Sequence, residues 1–386
     1  MKETSLSAQL EELKATMARV TPEAVGRVLA PLGLVCRKLT HFADSLGVIN
    51  PIFFVQAAPP PGEEKEEEAE AVELVLRVSN PHPFWRGRKT EHEVAVMEFV
   101  RAHGRPDVLP VPRVIAYASD AAQSPLGTEF VLMEKAPGQN LDDLWPTLDA
   151  EAKRDYMVQL VQFMAELRRI SAFLPNRGMG GFNREMELVE LVQDGPLIGP
   201  FTSFADSVEH HLRWAMEMIG DTLASRQELV HELRELVPEW MDTVLARYRA
   251  LASSCEEEEF GLCHNDLNFS NLLVDHERRK IVAVLDWEKS KCSVYDDELR
   301  GVEESIEDEE PTLAALHEAM AALGVSRPSG YDHRKALIKP DAKDLADEEL
   351  DYFVAHAQDA KEALVAQLAA FKSTLVPQPT MGNVVE

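Results

Sequence analysis

The stretch from Gly261 to Ser290, GLCHNDLNFSNLLVDHERRKIVAVLDWEKS, constrains this chain more than any other. Two apolar runs, Leu272-Leu273-Val274 and Ile281-Val282-Ala283-Val284-Leu285, flank the polar connector Asp275-His276-Glu277-Arg278-Arg279-Lys280. Apolar runs of strand length joined by a polar turn predict a β-hairpin that folds back at the connector. With the turn centred near Arg278, Asn271 just before the first strand lies beside Asp286 just after the second. An amide oxygen and a carboxylate then meet at the open end. Asp266, five residues before Asn271 in the entering loop, can face the same space.

Hard oxygen ligands in such a place suit Mg²⁺, which is held by one or two carboxylates plus substrate phosphates. A further carboxylate beside them can accept a hydroxyl proton. Taken singly, Asp and Asn are turn formers and His264 reads as a hydrogen-bonded core histidine. Together, His264, Asp266 and Asn271 fill the H-x-D-x4-N pattern of a kinase catalytic loop, and Asp286 stands where a kinase places its second metal-binding Asp.

The run HNDLNFSNLLVD followed by VLDWEKS resembles the aminoglycoside phosphotransferase and choline kinase family, small-molecule kinases with a protein-kinase-like fold. Asn265 where a protein kinase has the Arg of HRD, and Trp287-Glu288 after Asp286, favour that branch over protein kinases. The resemblance covers roughly residues 30 to 300. It implies an α+β, two-lobed fold: a helical preface over 1–29, a small β-rich N-lobe over 30–133, a hinge at 134–138, and a helical C-lobe over 139–386 carrying the hairpin at 261–290. It also implies ATP and Mg²⁺ as cofactors and a hydroxyl-bearing small molecule as acceptor. Asp266 then takes the acceptor proton, while Asn271 and Asp286 hold the metal.

The remaining parts of such a site follow in chain order. Residues 5 to 30 have helical apolar spacing, interrupted by Thr21-Pro22-Glu23, an N-cap with Pro at the first helical position. Strands are expected at 35–40, 52–55 and 72–78, with the polar insertion 59–70 standing outside any core. The place of a Gly-rich phosphate loop holds residues 41–51 with the single glycine Gly47, and reads equally as a plain turn; its Asn50-Pro51 resembles an Asn-Pro of some family members.

The family's phosphate-binding strand Lys is replaced by Arg77, a guanidinium that forks onto phosphate and stays charged. Its bland alternative is an exposed strand cation. Thr90 and Glu93 have capping-box spacing, and Glu93 equally matches the family's helix Glu that pairs with the strand cation, with Glu91 as the fallback. Strands at 111–117 and 129–133 lead to the Pro/Gly-marked hinge, where Glu134 and Ala136 would offer a backbone carbonyl and amide to the base.

Helical spacing dominates from Asp142 onward, over 149–167, 204–218 and 226–251, with Trp214 and Trp240 as core residues and further helices at 312–323 and 348–371. The glycines of residues 177–183 read as a turn, and Glu288 as a residue near enough to Asp286 to sense a cationic acceptor.

The formal net charge of −28 disfavours nucleic acid and anionic membrane as partners and suits a cationic acceptor. The first segment lacks an apolar h-region and no apolar run is long enough to cross a bilayer, so a cytoplasmic protein is expected. Cys36, Cys255, Cys263 and Cys292 lack C-x-x-C spacing and read as reduced packing residues. Oligomeric state leaves no signature in the sequence. The poor glycine loop and Arg77 keep open a rival in which the fold persists as a kinase-like pseudoenzyme and binding module.

Overall fold

The computed structural model describes residues 6–42, 50–60, 71–79, 89–192, 197–203, 206–207, 209–210, 246, 260–306 and 309–327. The chain divides into two compact units, Met1–Thr202 with Phe260–Arg327 and Ser203–Glu259 with Pro328–Glu386. Gly47, Trp214, Trp240, Cys255, the acidic run 63–70 and the helix expected at 348–371 fall outside the described residues, as do nearly all of 204–218 and 226–251.

Helix α1 (Leu6–Arg19) leads into α2 (Pro22–Leu29), which starts where the sequence places it. The Thr21 hydroxyl oxygen accepts the Ala24 amide at 3.2 Å, satisfying one of the orphan donors of a helix start. The apolar side of α2 (Ala24, Val25, Val28 and Leu29) belongs to one core cluster with Val55, Leu74, Leu76 and Leu132 of the first sheet. That sheet joins β1 (Val35–His41), β2 (Ile52–Ala58), β3 (Val72–Val78), β4 (Val114–Ala118) and β5 (Phe130–Glu134) in the antiparallel order β1-β2-β3-β5-β4. Helix α3 (Lys89–His103) connects β3 to β4.

Beyond β5 the chain passes Lys135 to Pro137 and turns at Gly138, whose φ of +125° is closed to most side chains. It enters β6 (Gln139–Asn140), which adds itself to the hairpin foreseen in the sequence, so a three-stranded sheet β13-β12-β6 forms from β12 (Leu272–Asp275) and β13 (Lys280–Val284). Asn140 caps the short α4 (Leu141–Leu144) and Asp149 caps α5 (Ala150–Ile170) by accepting the Ala152 amide at 2.7 Å. Tyr156, Leu160, Phe163 and Leu167 put one stripe of α5 into the core.

Two short pairings follow, β7 (Gly181–Phe182) with β8 (Leu188–Val189) and β9 (Leu191–Val192) with β10 (Leu197–Ile198). The 177–183 glycines therefore build strand as well as turn, because Gly180 must lie close enough to exchange backbone hydrogen bonds with Cys292. Strands β11 (Phe260–Cys263) and β14 (Lys291–Val294) pair on either side of the hairpin in sequence, before α6 (Asp296–Glu304) and α7 (Glu310–Leu323).

The hairpin ladder carries a bulge. Asp275 pairs with Lys280 but Leu272 pairs with Val284, an offset of one residue introduced between Leu273 and Val274. Leu285, rather than Asp286, therefore lies across from Asn271 and donates its amide to the Asn271 carbonyl at 2.8 Å. Asp286 falls one step past the ladder in a left-handed conformation (φ 61°, ψ 61°), which lifts its carboxylate off the strand.

Gly138 fixes the junction between sheet and hairpin. A Cβ there would lie 2.9 Å from the Val274 carbonyl oxygen. Gly138→Ala should destabilise the protein by about 1–3 kcal/mol, the usual cost of overpacking, read as a lower urea midpoint at unchanged slope.

Candidate functional site

A cavity of about 720 Å³ opens between the first sheet, the 134–138 segment and the β12–β13 hairpin. Ile52, Phe54, Val75 and Met133 form its apolar wall on one side and Leu273 and Leu285 on the other, while Arg77, Asn271 and Asp286 lie among the polar groups of its lining. An apolar slot with a few convergent polar groups is the form of a small-molecule site.

The loop after β11 is held by its neighbours more than by its own sequence. His264 is fully buried, in ring contact with Trp287 at 4.6 Å between centroids, and its Nε2–H donates to the Leu285 carbonyl at 2.8 Å. Its Nδ1 then accepts the Asp266 amide at 3.3 Å. Burial pushes the imidazole pKa down to about 4 against the opposing pull of that carbonyl, so the ring is neutral and serves as a bracket. Glu298, buried on α6, accepts the His264 amide at 2.5 Å. The single-sequence pattern carries no signal for Glu298, 34 residues away from His264.

Asp266 is thereby aimed at Asn271. The Asn271 side-chain amide donates to the Asp266 carbonyl at 2.8 Å and to its carboxylate at 3.2 Å, and Lys289 approaches the same carboxylate oxygen at 3.2 Å. With its nitrogen committed, Asn271 turns its Oδ1 away from Asp266. That oxygen and Asp286 Oδ2 have no hydrogen-bond or ion-pair partner among the described residues, which leaves two hard oxygens on the cavity wall. No group of three or more His, Cys, Asp or Glu suited to a metal exists among the described residues. Two oxygens with room for phosphate and water match the habits of Mg²⁺, which is rarely caged by protein alone.

Across the cavity stands Arg77, 8 % exposed, which excludes the reading of it as a solvated strand cation. Its Nη2 meets Glu93, and its Nη1 reaches both Asp286 Oδ1 at 3.0 Å and Glu288 Oε2 at 2.6 Å. Glu93 is thus the helix partner of Arg77, and the fallback Glu91 is not. The capping-box reading gives way as well. Thr90 lies inside α3, fully buried, with its hydroxyl on Ser79 at 3.0 Å, and Glu93 points to the ion pair.

Glu288 lines the cavity, and its carboxylate is bound by protein cations and an amide. At 2 % exposure it takes hydrogen bonds from Arg77, from Asn50 at 2.6 Å and an ion pair from Lys89 at 2.9 Å. Burial alone would raise its pKa, but Arg77 and Lys89 outweigh that and hold it at about 2. Asp286 is pushed the other way, above the ordinary carboxylate range, first by desolvation and then by the neighbouring Glu288 charge. Lys89 escaped the sequence reading because a lysine in a first helical turn looks solvated, and Asn50 was legible only as half of an Asn-Pro pair.

In the 134–138 segment, Glu134 and Ala136 both line the cavity. The Glu134 amide is committed to the Arg113 carbonyl at 2.9 Å, whereas the Ala136 amide has no hydrogen bond among the described residues. Helix α3 is tied to β7 and to the segment after the hairpin through His92. Its Nδ1 accepts the Phe182 amide at 3.0 Å and its Nε2 donates to the Ser290 carbonyl at 2.6 Å.

A strand cation paired to a helix Glu, facing an Asp–Asn–Asp hairpin across a slot, defines a kinase-like phosphotransferase architecture. The chain belongs to the phosphotransferase enzyme family (APH), whose model matches residues 44–296. A mutant aminoglycoside 2'-phosphotransferase-IIIa in complex with GDP shares the α+β kinase-like fold, with a TM-score of 0.51 at 12 % identity over 92 % of this chain and 98 % of that one. A thermostable mutant of aminoglycoside phosphotransferase APH(4)-Ia, in ternary complex with ADP and hygromycin B, aligns with a TM-score of 0.47 at 16 % identity, over 92 % of this chain and all of the other. A subtelomeric hrmA-associated cluster protein from each of two strains of Aspergillus fumigatus is 36 % identical over 90 residues. That match spans 23 % of this chain and 17 % of either relative. No helix among the described residues is long and apolar enough to cross a membrane.

The His264 bracket has a pH signature. Its pKa falls from 6.5 when unfolded to about 4 when folded, so the neutral form it requires stabilises the fold fully above pH 6.5 and less as pH drops towards 4. About 3 kcal/mol is at stake. Chemical denaturation across pH 7 to 4 should show a shallower decline for His264→Gln than for wild type.

Proposed function

We propose that the protein transfers the γ-phosphoryl group of ATP to a hydroxyl of a small molecule in a Mg²⁺-dependent reaction in the cytoplasm. The observation that carries this reading is the meeting of Asp266, Asn271 and Asp286 at one end of the hairpin, opposite the Arg77–Glu93 pair. In this reading residues 30–133 form the nucleotide-binding lobe, 134–138 the hinge, and 139–386 the lobe that carries the chemistry. Ile52, Val75 and Leu273 would enclose the base, with the Ala136 amide and the Glu134 carbonyl as its hinge partners.

Asp266 orients the acceptor hydroxyl and takes its proton as the acceptor oxygen bonds to the γ-phosphorus and the bridge to the β-phosphate opens. Asn271 and Lys289 keep that carboxylate in one rotamer. Asn271 Oδ1 and Asp286 would hold Mg²⁺, whose chemistry is to neutralise charge on the phosphate oxygens. Arg77, aligned by Glu93, steadies the α- and β-phosphates. The acidic balance of the chain, −28, supports a cationic acceptor such as an amino sugar or quaternary amine.

One observation favours a second reading, the kinase-like pseudoenzyme acting as a binding module. The Arg77 guanidinium and the Asp286 carboxylate pair with each other at 3.0 Å, which engages the cation meant for phosphate and a carboxylate meant for metal. A panel of hydroxylated amines, sugars and amino acids screened for ATP consumption decides between the two, alongside thermal shift with ATP in the presence and absence of Mg²⁺. Turnover with any acceptor supports the kinase; the absence of nucleotide stabilisation removes it.

Asp266→Ala and Asp286→Ala should each retain wild-type circular dichroism and lose Mg²⁺-dependent turnover, by about 10²–10⁴-fold for the proton acceptor. Both variants turning over ATP like wild type would contradict the assignment.

A further inference from the structure

One oxygen ties together four separate segments of the chain. Glu288 Oε2 accepts Arg77 Nη1 from β3 at 2.6 Å, Asn50 Nδ2 from the residue pair before β2 at 2.6 Å, and pairs with Lys89 Nζ from α3 at 2.9 Å. Lys89 also donates to Asn50 Oδ1 at 3.1 Å, closing a ring of side chains. All four residues are at least nine-tenths buried. A carboxylate that accepts several charge-assisted bonds on one oxygen is held far more tightly than a surface ion pair.

Arg77 Nη1 is shared between Glu288 and Asp286, while Nη2 goes to Glu93. In the function proposed above, on which this inference rests, Asp286 must give part of its charge to a metal. The guanidinium would then be held less strongly by that carboxylate's Oδ1. Glu288 is placed to keep it, because its contact to Nη1 is the shorter of the two and its other two donors do not depend on Asp286. Lys89 itself is not among the residues lining the cavity, but it bonds to Glu288 and Asn50, which are.

We infer that Glu288 and Lys89 are positioning residues for Arg77: Glu288 is the fixed carboxylate that keeps the guanidinium presented to the nucleotide phosphates, and Lys89 is the cation that anchors Glu288. Neither is a metal ligand or a phosphate contact in this scheme. The D-x-E spacing of Asp286 and Glu288 therefore divides labour: both line the cavity, but Asp286 keeps one carboxylate oxygen without a partner among the described residues, whereas Glu288 Oε2 is taken by Arg77, Asn50 and Lys89.

The test is ADP binding to the full-length protein by calorimetry, run both with Mg²⁺ and in EDTA, so that it does not depend on turnover. Lys89→Met and the near-isosteric Glu288→Gln should each weaken ADP about tenfold, equally in both buffers. In an Arg77→Met background neither should weaken it further, since residues acting through one partner are not additive. Thermal melts establish that the variants are folded, and Glu288→Gln, which keeps its shape, carries the comparison if Lys89→Met does not fold. Binding within twofold of wild type for Glu288→Gln would overturn the inference, as would full additivity with Arg77→Met. A loss seen with Mg²⁺ and absent in EDTA would make Glu288 a metal ligand and overturn it too. Wild-type protein that binds no ADP in either buffer would instead bring down the nucleotide reading of the cleft, and this inference with it.

Discussion

The site depends on Arg77 being charged in a place almost sealed from water. A guanidinium cannot escape desolvation by losing its proton, so the fold must surround it with acceptors. Glu93, Asp286 and Glu288 come from α3, from just past the hairpin ladder and from the turn after it. Three carboxylates around one cation would repel one another, and Lys89 offsets that excess behind Glu288. Removing one member of such a buried group typically costs about 3–5 kcal/mol, because its partner is left uncompensated. Sheet, helix and hairpin are therefore joined by electrostatics that none can satisfy alone.

The hairpin was legible in the sequence because its signals are local. Apolar runs, a polar turn and H-x-D-x4-N spacing lie within thirty residues, and the strands formed almost where expected. The bulge opposite Leu273 and Val274 was not legible, since the residue it inserts, Val282, is one more apolar β-former in KIVAV. It matters, because a ladder run on from the Asp275–Lys280 pair without it would set Val284, instead of Leu285, across from Asn271. Strands β1 to β5 and the α2 cap were likewise readable from alternation and from Thr21-Pro22.

What escaped the sequence was long-range and polar. Glu298 holding the His264 amide, and Asn50 and Lys89 converging on Glu288, span 34, 238 and 199 positions of chain. Propensity and spacing treat such residues as surface, since most charged side chains are exposed. Glu93 shows the same blindness from the other side. Its spacing from Thr90 satisfies a capping box, and only the arrival of Arg77 from β3 decides which bond it makes.

His92 fixes the freedom of α3. One ring nitrogen takes a backbone amide from β7 and the other gives its proton to the backbone just after the Asp286 turn. Burial holds the ring neutral, which this donor and acceptor division needs. Any outward tilt of α3 that parts Glu93 from Arg77 must strip both bonds from a desolvated imidazole at the same moment. The helix is thus a fixed strut between the two faces of the slot, and the geometry around Arg77 is set by folding instead of being assembled anew at each encounter with a ligand.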